Sequence, residues 1–150
     1  MKKYIYLLLS TMALVLSGCS KDNDSSDPTT SVKVFPLNAV ANSNISGKVT
    51  FTKNENGSTT VLLEINGASL DIHPAFIYLG DKTNPGAVAI TLEYIDCDCE
   101  SSSTVIKTMD DGTAITYEQL LKLDAHISIH QNADHLEIIL AQGNIGANFN

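Results

Sequence analysis

The chain has 150 residues, 43% hydrophobic and 17% charged. That is a globular composition, with material for one ordinary domain and too little for two. All 9 basic residues are lysine, set against 17 acids for a net charge of −8; so acidic a chain, with no guanidinium fork and no Gly-rich phosphate loop, is a poor match for nucleic acid or phosphate ligands.

Met1-Lys2-Lys3 forms a short positive n-region, followed by an apolar stretch from Ile5 to Leu16. The stretch falls short of the about 20 residues a membrane span needs, and it suits the core of a signal peptide. Leu16-Ser17-Gly18-Cys19 resembles a bacterial lipobox. Small residues next to the cut admit a peptidase, and the Cys19 thiol is the nucleophile that takes up diacylglycerol. The pattern predicts a signal peptide over residues 1–18 and a lipid anchor at Cys19, since two or three acyl chains hold a protein stably at a membrane. The alternative is an ordinary secretory signal with a cysteine there by chance. Loss of residues 1–18 removes two lysines and no acid, leaving 7 lysines against 17 acids and a net charge of −10.

Residues 19–31 read as the lipidated cysteine and a disordered tether, because Ser20 to Thr30 contains nothing apolar to bury. Its Ser-Lys-Asp-Asn-Asp run looks like the acidic export signal of surface-displayed lipoproteins in some Gram-negative bacteria. The expected location is the outer membrane, lipid-anchored, on the cell surface or alternatively on the periplasmic face.

Residues 32–150 read as one domain of short strands. Val32, Val34 and Phe35 begin a strand ahead of Pro36. Ile45 to Thr52 alternates cleanly, with positions 45, 47, 49 and 51 apolar or Gly and the others polar, as in a half-buried antiparallel strand. Asn56-Gly57 signals a hairpin, and Val61, Leu63 and Ile65 point inward on the return. Ala75 to Leu79 is a third apolar run, and Asn84-Pro85-Gly86 a turn. Val88, Ile90, Leu92 and Tyr94 alternate again; residues 96–104 are polar and loop-like. Residues 116–123 form the one helical candidate, with Thr116 and Gln119 spaced for a capping box. His126 to His130 alternates, and a last strand falls within Ile138 to Ile145. The sum predicts an all-β antiparallel sandwich or barrel with one short helix.

Several segments together resemble the CHRD domain, a family named after chordin that also occurs in bacterial secreted proteins and lipoproteins. They are Ile45-Ser46-Gly47-Lys48-Val49, His73-Pro74-Ala75, Ile115-Thr116-Tyr117-Glu118-Gln119-Leu120, His126-Ile127-Ser128-Ile129-His130 and Ala141-Gln142-Gly143-Asn144-Ile145-Gly146. The resemblance spans roughly residues 34–148. It implies an immunoglobulin-like or superoxide-dismutase-like β-sandwich and no particular activity. Two departures bear on chemistry. The family's third strand often reads His-Pro-Ala-His-Ile-His, where this chain has His73 followed by Phe76 and Tyr78 at the other two histidine positions. The later Tyr-x-Asn-x-His pattern is matched here only by His130.

His126 and His130 share one strand face at a spacing of about 13 Å, too far apart to hold one ion without a bulge. With His73 or His135 they are candidate metal ligands. The structural alternative makes His130 a hydrogen-bonded histidine and leaves the others on the surface. Cys97 and Cys99 sit in an oxidising compartment, which allows a local disulfide, a redox or soft-metal pair, or free thiols. Asp96, Asp98, Glu100, Asp110 and Asp111 suggest a solvated acidic loop, without EF-hand spacing. Phe76 and Tyr78 are either core residues or, if exposed, partner contacts. No catalytic constellation can be assembled. The leading expectation is a non-enzymatic, lipid-anchored envelope module that binds a protein or glycan or serves structurally, with no cofactor and no nucleic acid. The alternative is a metal-handling or redox protein that uses His73, His126 and His130, or Cys97 and Cys99.

Overall fold

The computed structural model describes residues 30–68, 71–96 and 99–149. Its strands are β1 (Val32–Ala39), β2 (Ser46–Lys53), β3 (Thr59–Asn66), β4 (Ala75–Leu79), β5 (Val88–Thr91), β6 (Ser101–Ile106), β7 (Asp124–His130) and β8 (Ile139–Gly146), with a single helical turn α1 (Tyr117–Leu120) between β6 and β7. All strand pairs are antiparallel, in the order β5-β4-β7-β8-β1-β2-β3-β6. The sheet curls into a half-barrel around one core.

The curl centres on β1. Residues 32–37 pair with β2, while Asn38 and Ala39 pair with β8. The strand begins ahead of Pro36, as its sequence predicts, and runs through it to Ala39. Proline lacks an N–H to donate, and it is tolerated here because β1 changes partner at this point. The Pro36 carbonyl lies against Gly143, where a Cβ would come within 2.2 Å of it. Gly47 is equally tight, with a Cβ position 2.0 Å from the Glu64 carbonyl. Close backbone approach explains why both strands carry glycine there.

Phe35 and Leu37 on β1, Val49 and Phe51 on β2, Val61, Leu63 and Ile65 on β3 and Ile145 on β8 bury their side chains in the shared core. Phe35 meets Phe51 edge to face at 5.4 Å. Across the fold, Ala75, Ile77, Ala125, Ile127 and Ile129 fill the same interior.

Three predicted elements differ from the structure. Within residues 96–104, read as loop, Ser101 to Thr104 instead belong to edge strand β6 (Ser101–Ile106) beside β3, since Ser and Thr side chains hide strand character behind polarity. The alternation from Val88 to Tyr94 breaks at Ala89, where the register against β4 shifts between Ile90 and Val88 and both Ala89 and Ile90 are buried. Val88 and Tyr94 are exposed, and Ile90 and Leu92 are buried. The helix closes after one turn, although Thr116 and Gln119 do form the reciprocal capping box.

The two edge strands are tied together rather than left open. The Glu93 N–H donates to Thr104 Oγ1 on β6 at 2.8 Å. The Asp110 carboxylate accepts from the Thr91 N–H at 3.0 Å and from its hydroxyl at 2.7 Å. Asp110 N–H in turn donates to the Ala89 carbonyl at 2.9 Å.

Gly143→Ala is expected to destabilise the fold by about 1–3 kcal/mol, the scale of overpacking a closed contact. Gly57→Ala is the control, because a Cβ there meets nothing within 4 Å, so its cost is limited to the positive φ of 79°. Urea unfolding of the two variants checks the contrast; an unchanged Gly143→Ala midpoint would remove the crossing from the account.

Candidate functional site

Strand β7 is buried on both faces. Ala125, Ile127 and Ile129 point into the core, and His126, Ser128 and His130 point to the other side of the sheet, where they too are buried. The register pairs Tyr78 with His126 and Phe76 with Ser128, which puts both aromatics on that outer face. Neither is core, the reading the sequence favoured; both are half-buried over the histidines. The core side of β4 is taken by Ala75 and Ile77.

The rings of the cluster stack and bond to one another, while the buried Ser128 hydroxyl between the two histidines has no hydrogen-bond partner among the described residues. Tyr78 stacks on His126 with ring centroids 5.3 Å apart and 13° between planes. Its hydroxyl lies 3.1 Å from His130 Nε2. Phe76 sets its ring against His130 at 5.4 Å. His126 Nδ1 donates to the Gly80 carbonyl at 2.8 Å, and His130 Nδ1 donates to the Leu136 carbonyl. A carbonyl only accepts, so the proton sits on Nδ1 and the Nε2 lone pair of His130 is free to accept from Tyr78. Burial pushes His130 below the usual histidine range, with the Leu136 carbonyl acting in the opposite direction. Burial also raises the Tyr78 phenol. Both shifts favour the neutral pair that the hydrogen bond requires.

His73 lies on the inner side, fully buried, in an isolated bridge with Ile95. Its Nδ1 donates to the Gln131 carbonyl at 2.7 Å, and its Nε2 is buried with no hydrogen-bond partner. The structural alternative for His73 and His126 as surface residues is therefore overturned: both are buried and backbone-bonded. His135 is the exposed histidine, 3.1 Å from Glu137. Tyr78 contacts both His126 and His130, and His73 faces the other side of the sheet, so the three imidazoles do not converge. Among the described residues, no group of three or more His, Cys, Asp or Glu is arranged to hold a metal ion.

Cys99 is exposed, and Cys97 and Cys19 lie outside the described residues. The acidic loop is less solvated than its sequence suggests. Besides Asp110, Glu100 accepts from the Gly67 and Ala68 N–H groups at 3.0 and 3.3 Å.

One feature escaped the sequence entirely. The outward positions of β4 continue toward its N-terminal end as Pro74 and Ile72, and Ile72 is exposed. There they border an open groove of about 470 Å³, together with Tyr94, Asp71, Asn132 and Asp134. Asn132 is oriented on both sides. Its Oδ1 accepts from the Asp134 N–H at 3.1 Å, and its Nδ2 reaches Asp71 Oδ2 at 3.5 Å. Tyr94 alternates in the sequence with Val88, Ile90 and Leu92, which gives no sign that it is exposed at a groove.

No protein-family model matches the chain, and comparison with curated proteins finds no relative.

Keeping His130 neutral contributes stability that is complete above its unfolded value of about 6.5 and is lost as pH falls through the lower folded value. Unfolding midpoints between pH 7 and 5 should therefore fall less steeply for His130→Gln than for the parent; equal slopes would remove His130 from the acid response. Tyr78→Phe leaves the His130 Nε2 without its donor and should cost about 1 kcal/mol at pH 7 in urea unfolding.

Proposed function

We propose that this chain is a lipid-anchored cell-envelope protein whose CHRD-like domain is a non-enzymatic binding or structural module. The observation that carries the binding reading is the outward face of β4. Exposed Ile72 and half-buried Phe76 and Tyr78 line up there, with buried Pro74 between them, as an apolar and aromatic stripe that ends in an open groove. A half-exposed aromatic stripe of this kind is typical of a contact surface. The lipobox at Cys19 and the polar tether support anchoring in the outer membrane, on the cell surface or alternatively on its periplasmic face. The partner is a protein or a glycan.

The finer fold reading is an immunoglobulin-like or superoxide-dismutase-like sandwich. The shared strand β1 supports it, since splitting its pairs between β2 and β8 is a way to join two facing layers. The CHRD likeness itself rests on the five motif segments and their order. The metal or redox alternative gains nothing from the imidazoles, whose rings do not converge, and among the described residues no group of three His, Cys, Asp or Glu is arranged to hold an ion.

Anchoring is tested by fractionation. Cys19→Ser should move the protein from the membrane pellet to the soluble fraction and abolish labelling by a radioactive fatty acid. A parent protein that takes up no label, or a Cys19→Ser variant that is labelled as fully as the parent, would overturn the lipid anchor. Added protease on intact cells should degrade the parent protein if it is displayed outside; protection would assign it to the periplasmic face.

A further inference from the structure

We infer that the groove bordered by Tyr94 and Asn132 is a subsite for a neutral carbohydrate. The inference rests on the binding-module reading and names the ligand class of that module. The groove has two kinds of wall. Ile72, Pro74 and Tyr94 form an apolar side, with Ile72 55% and Tyr94 54% exposed. Asp71, Asn132 and Asp134 form a polar side. A pyranose ring is built the same way, with a C–H face and a rim of hydroxyls that both donate and accept. The Tyr94 ring and its aliphatic neighbours suit the C–H face, the carboxylates accept hydroxyl protons, and the Asn132 amide does both.

The groove is prepared for this. Asn132 is held by Asp71 and by the Asp134 N–H, so little ordering remains on binding. Its floor is fixed, because the Pro74 carbonyl accepts from the His130 N–H at 2.9 Å and Phe76 packs on the His130 ring. A volume of about 470 Å³ lies within the ordinary range for small-molecule sites, roughly 300–1,000 Å³.

Charge narrows the class. Two carboxylates line the groove and no lysine does, so uronate, sulfated and phosphorylated sugars meet repulsion. A lysine or arginine side chain would engage the carboxylates and the Tyr94 ring. It would leave the aliphatic wall and the oriented amide without a role, so the observations favour the sugar.

The test uses the full-length protein in detergent, applied to an array of neutral oligosaccharides (glucans, mannans and N-acetylglucosamine oligomers) with polygalacturonate and oligolysine as charged probes. Titration calorimetry then follows the best neutral binder. At least one neutral oligosaccharide should bind. Tyr94→Ala should weaken it roughly tenfold, the scale of one aromatic contact, with the unfolding midpoint unchanged. Asn132→Ala should weaken it several-fold. The proposal fails if no neutral sugar binds, if neither variant changes the affinity, or if oligolysine alone is retained. A protein cross-linked on intact cells without any sugar binding would overturn the ligand class and leave the module reading standing. Absence of both would overturn both.

Discussion

The half-barrel depends on one strand having two sets of neighbours. β1 gives residues 32–37 to β2 and its last two residues to β8. That division brings the two ends of the sheet around a common core, and it requires the Pro36 carbonyl to pass close to Gly143. Phe35 and Leu37, at the crossing, then lie deep in the interior with Phe51 and Ile145. Closure covers only the inner side of β7; the outer side is covered separately by Phe76 and Tyr78 of β4 and by the segment whose Leu136 carbonyl accepts from His130.

Closure also meets the usual difficulty of open sheets, the unpaired edge. Thr104 and Asp110 accept the outward N–H groups of Glu93 and Thr91, so side chains stand in for a missing strand. Elsewhere acids do similar work: Glu100 holds the Gly67 and Ala68 amides. Part of the negative charge that looks like a solvated surface in the sequence thus terminates backbone hydrogen bonds.

What the sequence discloses follows from how many faces of each strand are covered. β2 is legible because Val49 and Phe51 are buried while Lys48 and Thr50 are not. β7 is legible as a strand, yet its alternation hides that both faces are buried, the outer one by imidazoles bonded to carbonyls. The orientation of β4 cannot be read at all, since residues 74–79 are apolar or aromatic throughout and either parity would suit a core. The serine run of β6 reads as loop because it fills an edge, where packing asks little of the side chains. Least visible is the groove. It gathers residues 71, 72, 74, 94 and 132–134, and no periodicity links segments that far apart.

The pairing of the first strand with the last has a kinetic consequence. Ser43, just beyond β1, donates its hydroxyl to the Leu140 carbonyl, 97 positions along the chain. Contacts this distant must overcome loop-closure entropy before they contribute, so such topologies fold slowly. The β1–β2–β3 meander can assemble from local hairpins, but the other half of its core stays uncovered until β8 arrives. A chain delivered across a membrane amino end first would expose that apolar surface until its final residues emerged.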